Sequence, residues 1–133
     1  RIDHALLRRS RTGERCTLLY VDLDRFKEVN DTHGHQSGDL LIQSFASRIA
    51  SIVRATDTVS RLGGDEFAVL LIDRGDPSDV DAVCQRILEA ASKPFEVDGA
   101  RVYIGASIGI AETVDEVTNV SVVKNLGTVE RFS

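Results

Sequence analysis

Alternating apolar and polar stretches along the chain predict helices and strands in turn. Residues Ile2 to about Arg9 have the spacing of a short amphipathic helix, and Thr17 to Leu23 form an apolar, β-branched run typical of a strand covered on both faces. A short helix from Asp24 to about Val29 and a glycine-containing loop over 32–38 follow. Asp39 is then predicted to be the N-cap of a long helix that reaches about Val53. Its apolar positions form one broad face: Leu41, Ile42, Phe45, Ala46, Ile49, Ile52 and Val53.

Two turn signals further along the chain predict β-hairpins. Apolar arms flank Gly63-Gly64 within Ser60–Leu71, and the strands Phe95–Val97 and Arg101–Ala111 flank Asp98-Gly99. A helix between them is predicted to start at Pro77 or Ser78 and to end at Lys93-Pro94. Its buried stripe consists of Val80, Val83, Cys84, Ile87, Leu88 and Ala91. We therefore predict an α+β fold with a central, mostly antiparallel sheet flanked by helices.

Composition narrows the class of protein. The chain has 133 residues, of which 42% are hydrophobic, so it can bury one core and should form one domain. A net charge of −5 argues against nucleic-acid binding as the main activity. The sequence has no apolar run long enough to span a bilayer and no signal-peptide pattern, which predicts no membrane contact by this domain. The isolated Cys16 and Cys84 suggest buried or half-buried reduced thiols and a reducing compartment. We therefore expect a cytoplasmic location, either of a free protein or of the cytoplasmic part of a membrane-anchored parent protein.

The two ends of the chain are less regular. The sequence opens in the middle of an amphipathic pattern, which predicts that it is a piece of a longer protein. Residues 112–133 follow neither the helical nor the strand period, and we expect at most one short helix or strand near Val114 to Leu126.

Acidic residues provide the candidate chemistry. Asp22 and Asp24 end a strand that should be buried, and carboxylates there are costly to desolvate unless they meet a cation, a helix N-terminus or water. If that strand pairs with the first hairpin, Asp22 and Asp65 meet at a strand-end crevice. Carboxylate oxygens gathered in this way suit Mg²⁺, which also keeps waters and substrate phosphates in its shell. The alternative interpretation is a solvated acidic hairpin beside a solvent-facing strand end.

The residues around these acids suit a phosphorylated substrate. Gly63 and Gly64 leave room for phosphates, Lys27 could supply a positive charge, and N–H groups at a helix start could bind phosphate oxygens. These features indicate phosphoryl or nucleotidyl transfer. The sequence has no Walker loop, which excludes a P-loop NTPase. His33 and His35 lack a third ligand nearby, so packing or hydrogen bonding is favoured over metal binding.

Arg54 and Asp57 follow the long helix. On spacing alone, Arg54 is expected to complement the helix dipole and to pair locally with Asp57.

Three separated motifs resemble the GGDEF family of diguanylate cyclases. They are Gly63-Gly64-Asp65-Glu66-Phe67, the stretch 22–31 (DLDRFKEVND) and the stretch 34–39 (GHQSGD), and the resemblance covers about Ile2 to Ala111. It implies a nucleotidyl-cyclase-like fold with the GGDEF motif on a hairpin. It also implies a reaction in which two GTP condense to cyclic di-GMP across a homodimer, each domain carrying one GTP.

The resemblance implies a role for individual residues. Asp22 and Asp65 would bind Mg²⁺, or alternatively Mn²⁺, through their carboxylates and Leu23 through its carbonyl, with Glu66 as a further candidate ligand. Asp65 would also assist deprotonation of the ribose 3′-hydroxyl. The catalytic residues that the resemblance implies are Asp65, Glu66 and Lys27. The substrate-binding set comprises Phe26 and Lys27 for phosphates, Asn30 and Asp39 for guanine, and Gly63 and Gly64 at the hairpin tip.

The resemblance also implies a regulatory site. Arg54 and Asp57 match the family's inhibitory site for cyclic di-GMP, and Arg86 lies where a second arginine of that site is found. An arginine fork binds phosphate bidentately and stacks on purines, which favours product binding over dipole compensation alone.

The tail departs from the family. Residues 112–133 lack the pattern whose lysine and arginine hold the GTP phosphates, and the start lacks the usual lead-in. We therefore expect 1–111 to be an N-terminally trimmed GGDEF domain and 112–133 to be its divergent or incomplete C-terminal part. The alternative function is a catalytically weak or inactive domain that binds GTP or cyclic di-GMP and regulates a neighbour. Sensor or phosphodiesterase domains are the expected neighbours in the parent chain.

Overall fold

The computed structural model describes residues 16–72, 77–113 and 129–132. In chain order the elements are β1 (Cys16–Asp24), α1 (Phe26–His33), α2 (His35–Ala50), β2 (Thr58–Gly63), β3 (Glu66–Ile72), α3 (Pro77–Ser92), β4 (Phe95–Val97), β5 (Ala100–Val102), β6 (Gly105–Thr113) and β7 (Val129–Phe132). The first predicted helix, 2–9, and the stretch 114–126 lie outside the described residues. Within the described part, no helix has the length and apolar character needed to cross a bilayer.

The main sheet has the order β2-β3-β1-β6-β7, so β1 is its central strand. It pairs antiparallel with β3 on one side and β6 on the other, β2 pairs antiparallel with β3, and only β7 runs parallel to its neighbour, β6. The predicted α+β fold with a mostly antiparallel sheet is confirmed.

The apolar run of β1 is buried on both faces, as its sequence predicts. Leu19, Val21 and Leu23 belong to the large core under the helices, whereas Cys16 and Leu18 belong to a small cluster with Ala68 and Leu70. Because successive strand residues point to opposite faces, an uninterrupted apolar run serves both clusters. Cys16 and Cys84 are both buried and form no disulfide within the described residues.

Arg48 joins α2 to the end of α3. Its guanidinium donates hydrogen bonds to the carbonyls of Ala90 (2.7 Å), Lys93 (3.1 Å) and Pro94 (2.7 Å). It also lies 3.6 Å from the centroid of the Phe95 ring. A cation at these carbonyls complements the dipole of α3, and burial lowers the pKa of the guanidinium below its usual value.

The structure corrects the predicted boundary between the first two described helices. α1 continues through Asn30 to His33, and α2 begins at His35, so no loop spans 32–38 and Asp39 lies inside α2 rather than at its N-cap. Gly34, with a φ of 93°, separates the helices and donates its N–H to the carbonyl of Asn30 at 2.9 Å. This backbone conformation suits glycine and ends one helix while it starts the next. The C-terminal end of α2 is at Ala50, before the predicted Val53.

The second hairpin also differs from its prediction. The turn at Asp98-Gly99, with φ values of 52° and 80°, joins β4 to β5 as expected. The expected strand Arg101–Ala111, however, is two strands, because β5 remains in the two-stranded sheet while β6 enters the main sheet. Alternating apolar residues predict a strand but do not state which sheet it joins.

Candidate active site

The first predicted hairpin forms, and its tip carries Gly64 and Asp65 between β2 and β3. Gly63 and Gly64 have φ values of 155° and 46°, which glycine adopts at little cost, and the strand register shifts between Arg61 and Gly63. The paired glycines are therefore required by the backbone of this turn.

Three carboxylates meet beside this tip. The antiparallel pairing of β1 with β3 places Asp22 opposite Glu66, and the N–H of Leu23 donates to the carbonyl of Asp65 at 3.0 Å. Carboxylate oxygens of Asp22, Asp65 and Glu66 all lie within 4.8 Å of one another. Asp22 is buried and the other two are half-buried. The sequence-based expectation that Asp22 and Asp65 come together is therefore realised in the structure.

This donor set fits a hard divalent cation. Like charges at such a separation repel one another, and a cation that accepts oxygen ligands relieves that repulsion. Leu23 lies in β1 directly after Asp22 with its side chain in the core, so a ligand from this residue would have to be its carbonyl.

Asp24 has a different environment. Its carboxylate accepts a hydrogen bond from the hydroxyl of Ser107 on β6 at 3.2 Å. The second acid of the strand end thus joins β1 to β6 and is not part of the three-carboxylate cluster.

The start of α1 follows β1 directly. Phe26 is its first residue, and Lys27 is exposed in its first turn. The N–H groups of a first helical turn have no partner within the helix, so they point outward from its end. Because the side chain of Phe26 is buried in the core, only its backbone could contact a phosphate.

The two residues expected to bind guanine, Asn30 and Asp39, lie on α1 and α2, on either side of Gly34. We call this region the α1–α2 corner. The side-chain oxygen of Asn30 is buried and accepts no hydrogen bond from any described residue, and the same holds for the hydroxyl of Ser37. Asp39 is exposed on α2. A buried acceptor without a donor is costly, so the Asn30 oxygen is suited to a donor from a ligand or water.

Gly38 explains how Asn30 fits in this corner. A Cβ at position 38 would collide with the Asn30 side-chain oxygen and would lie 3.2 Å from Cζ of Phe26. Glycine therefore allows the two helices to meet over the Asn30 amide. Sequence reasoning included Gly38 in a motif but gave it no role, because the contact joins two different helices.

The structure separates the two partners of the predicted Arg54–Asp57 pair. One carboxylate oxygen of Asp57 accepts from the backbone N–H of Arg54 at 2.8 Å, and the other accepts from the backbone N–H of Ile72 at 3.1 Å. The guanidinium of Arg54 instead pairs with Asp79 of α3 at 3.0 Å. Asp57 therefore joins its turn to the end of β3, while the Arg54 side chain extends toward α3.

Arg86 lies on the same helix as Asp79, two helical turns further along, and is exposed. It lines a groove of about 390 Å³ between α2 and α3, together with Arg48, Ser51, Ile52, Glu89, Ala90 and Lys93. The Arg54 guanidinium thus contacts α3 at Asp79, about two helical turns before Arg86.

Arg61 was not identified from the sequence. This exposed residue of β2 donates hydrogen bonds from Nε (3.0 Å) and Nη2 (2.8 Å) to the carbonyl of Gly64 at the tip. His33 and His35, in contrast, are exposed at the helix ends and do not belong to the carboxylate cluster.

Comparisons with known proteins agree on one family. A model described as the diguanylate cyclase GGDEF domain matches residues 1–126. The bifunctional diguanylate cyclase/cyclic di-GMP phosphodiesterase MucR of Pseudomonas aeruginosa is 45% identical over 111 residues, which cover 84% of this chain but only 16% of MucR.

Solved structures give the same result. The isolated GGDEF domain of TpbB (YfiN) from Pseudomonas aeruginosa has a TM-score of 0.74 and 38% identity, covering 85% of this chain and 68% of that one. The GGDEF domain of DgcB from Caulobacter crescentus, solved in complex with c-di-GMP, has a TM-score of 0.71 and 30% identity, with coverage of 85% and 68%.

Proposed function

This chain belongs to the GGDEF domain family of diguanylate cyclases, and from that membership we propose that it condenses two GTP into cyclic di-GMP. The single observation that carries the proposal is the meeting of Asp22, Asp65 and Glu66 beside a glycine-rich hairpin tip. In each of two equivalent steps, a ribose 3′-oxygen forms a bond to the α-phosphorus of the other GTP. The bond from that phosphorus to the β-phosphate bridge breaks, and pyrophosphate leaves.

The three carboxylates would hold Mg²⁺, or Mn²⁺ in its place, with the Leu23 carbonyl as a further ligand. A bound divalent ion would neutralise charge on the phosphates and lower the pKa of the attacking hydroxyl. Asp65 lies at the tip, where its carboxylate would accept the proton of the 3′-hydroxyl as the new P–O bond forms. Glu66, opposite Asp22 in the sheet, would complete the cluster.

The phosphates would lie between the hairpin tip and the start of α1. Gly63 and Gly64 present backbone without side chains, and the first-turn N–H groups of Phe26 and Lys27 bind anions favourably. The exposed ammonium of Lys27 would add a positive charge at the same end.

Guanine would occupy the α1–α2 corner. The buried oxygen of Asn30 would accept an N–H of the base, and the exposed carboxylate of Asp39 would accept from adjacent donors. Guanine offers a neighbouring ring N–H and amino group, whereas adenine lacks that pair. A site that depends on such hydrogen bonds rejects the wrong base by about 10⁴-fold or more.

A homodimer and product feedback complete the proposal. One hairpin holds one GTP, so the second must come from another copy of the domain. Arg54, Asp57 and Arg86 would form the inhibitory site, where arginine forks bind the phosphates of cyclic di-GMP. We assign the domain to the cytoplasm, where GTP is available, and expect sensor or phosphodiesterase domains as neighbours.

The proposal is tested by incubating the 133-residue chain with GTP and Mg²⁺ or Mn²⁺ and measuring cyclic di-GMP by chromatography. We expect product from the unsubstituted chain and a loss of at least about 10³-fold for Asp65→Asn, which keeps size but removes the charge. Asp98→Asn is the matched control, because Asp98 lies in the remote β4–β5 turn. Equal product yields from the Asp65 and Asp98 variants would contradict the proposal.

A second candidate function is a catalytically weak or silent domain that binds GTP or cyclic di-GMP and regulates a partner. The sequence of residues 112–133, which lacks the family's phosphate-binding pattern, favours it. Calorimetric titration with cyclic di-GMP tests this candidate: binding that Arg54→Ala weakens, in a chain that forms no product, would support it. Absence of binding, or binding that Arg54→Ala leaves unchanged, would exclude the version of this candidate that binds cyclic di-GMP at the inhibitory site.

A further inference from the structure

The side chain of Arg61 is hydrogen-bonded to the backbone of the hairpin tip. We propose that it is a positioning residue, whose guanidinium fixes the turn so that the Asp65 and Glu66 carboxylates meet Asp22 around a divalent cation. Its Nε and Nη2 atoms both donate to the carbonyl of Gly64, at 3.0 Å and 2.8 Å. The inference rests on the proposed function, because it concerns the metal site of that reaction.

The tip needs such a restraint. Gly63 and Gly64 give this turn more backbone freedom than any other pair of residues would, so ordering it has a larger entropic cost. The carboxylates of Asp22, Asp65 and Glu66 also repel one another within 4.8 Å. Both effects favour movement of the tip away from β1 when no cation is bound.

Two successive peptide groups of the tip are held from opposite sides. The carbonyl of Gly64 is held by Arg61 of the same hairpin, and the carbonyl of Asp65 accepts from the N–H of Leu23 on the neighbouring strand at 3.0 Å. Fixing both carbonyls fixes the peptide planes on each side of the Asp65 Cα. The direction in which the Asp65 side chain leaves the backbone is then determined.

Arginine is suited to this task. Its planar fork donates two hydrogen bonds in a fixed geometry, whereas lysine is a point charge on a flexible stem. Within the residues that the structure describes, Arg61 forms no ion pair, so the two bonds to Gly64 account for its position.

The test is a Mn²⁺ titration of the 133-residue chain, followed by water-proton relaxation, with and without a GTP analogue that cannot be cleaved between its α- and β-phosphates. We expect Arg61→Ala to raise the Mn²⁺ dissociation constant by about 10–100-fold, the range found when a group that orients metal ligands is removed. Arg61→Lys should recover only a small part of this loss. At saturating Mn²⁺, kcat should fall while KM for GTP stays within about 3-fold, because the group does not touch substrate.

Arg101→Ala is the matched control. Arg101 also makes an exposed side-chain hydrogen bond, to Glu96 at 2.9 Å, but it lies in β5, outside the main sheet. Its Mn²⁺ affinity should equal that of the unsubstituted chain. Circular dichroism identifies any variant that does not fold, and Arg61→Gln, which retains a donor, then replaces Arg61→Ala.

Several results would overturn the inference. One is an Mn²⁺ affinity that is unchanged in Arg61→Ala or fully restored in Arg61→Lys. Another is an effect of Arg61→Ala at saturating Mn²⁺ that is confined to KM for GTP. A third is an unsubstituted chain that does not bind Mn²⁺. If the chain forms cyclic di-GMP but Arg61→Ala does not change its Mn²⁺ affinity, the role of Arg61 is contradicted and the proposed function is not. Mn²⁺ binding that depends on Arg61 in a chain that forms no product would remove the proposed function alone.

Discussion

At the residue scale, the packing between α1 and α2 depends on a position without a side chain. Asn30 can place its amide oxygen in a buried position because Gly38, on the facing helix, has no side chain. The same corner buries the hydroxyl of Ser37. Gly38 therefore acts by leaving space for the Asn30 side chain.

Gly38→Ala tests this dependence. The new methyl group would displace the flexible Asn30 side chain. Because alanine is also the better helix former, we expect the free energy of unfolding to change by less than about 1 kcal/mol. Displacement of the Asn30 amide should also raise KM for GTP and narrow the preference for GTP over ATP. Chemical denaturation and steady-state kinetics measure the two effects.

Gly105→Ala serves as the control for Gly38→Ala. A Cβ at position 105 would lie 3.4 Å from the nearest atom, an oxygen of Asp24, which is an ordinary contact. Its stability and base preference should therefore stay close to those of the unsubstituted chain. If the two alanine variants behaved alike, the contact between Gly38 and Asn30 would not explain the guanine site.

At the scale of elements, two residues of one short turn, Arg54 and Asp57, have different contacts. The turn between α2 and β2 is closed by Asp57, whose carboxylate accepts from the N–H groups of Arg54 and Ile72. It thereby ties the turn to the end of β3. The Arg54 side chain instead forms an ion pair with Asp79 at an exposed site.

Replacing the two residues separately should therefore change the free energy of unfolding by different amounts. Asp57→Ala removes the acceptor of two backbone N–H groups and should lower the free energy of unfolding by about 2–3 kcal/mol. Arg54→Ala removes an exposed ion pair and should lower it by less than about 1 kcal/mol. Despite this small effect on stability, we expect Arg54→Ala to keep cyclic di-GMP synthesis active in the presence of product.

Urea denaturation and progress curves with added cyclic di-GMP measure these two properties. Asp79→Asn is the companion variant, because it removes the partner of Arg54 while it keeps the arginine. Product inhibition should persist in Asp79→Asn. A loss of stability in Arg54→Ala as large as in Asp57→Ala would contradict this division of roles.

At the scale of the whole molecule, the site lies at the end of the central strand β1, beside a hairpin that forms one edge of the sheet. β2 is an edge strand of the described sheet, and it carries one arm of the hairpin whose tip bears Asp65. A hairpin at an edge can face a second copy of the domain without disturbing the central strands. Among the described residues, each chain has one cluster of three carboxylates, and it lies beside this tip.

The proposed reaction across two copies predicts a concentration dependence. Below the dissociation constant of the dimer, the rate per chain should rise in proportion to chain concentration and then level off, because each product molecule needs two tips. Adding an excess of the Asp65→Asn chain should lower the rate per active chain, since mixed pairs hold only one complete cluster.

Cyclic di-GMP formation measured over a range of chain concentrations, alongside sedimentation analysis, checks this expectation. An excess of the Asp98→Asn chain, which retains its cluster, should not have the inhibitory effect. A rate per chain that stays constant while sedimentation shows only monomers would rule out the reaction across two copies.

The sequence by itself determined the elements whose signals are local. The continuous apolar run of β1, the paired glycines of the first hairpin and the Asp98-Gly99 turn each follow from side-chain period or backbone freedom within a few residues. The family followed from three motifs, and its match over residues 1–126 confirms it. The roles implied for the site residues stay predictions.

Tertiary structure alone decided the features that depend on residues far apart in the chain. The pairing of β1 with β3 brings Asp22 to Glu66, and the pairing of β1 with β6 brings Asp24 to Ser107. The meeting of two helices places Gly38 against Asn30. The division of the expected strand at 101–111 between two sheets is of the same kind. Local pattern sets which residues form a strand or a helix, whereas packing selects the partners of each, and the partners assemble the site.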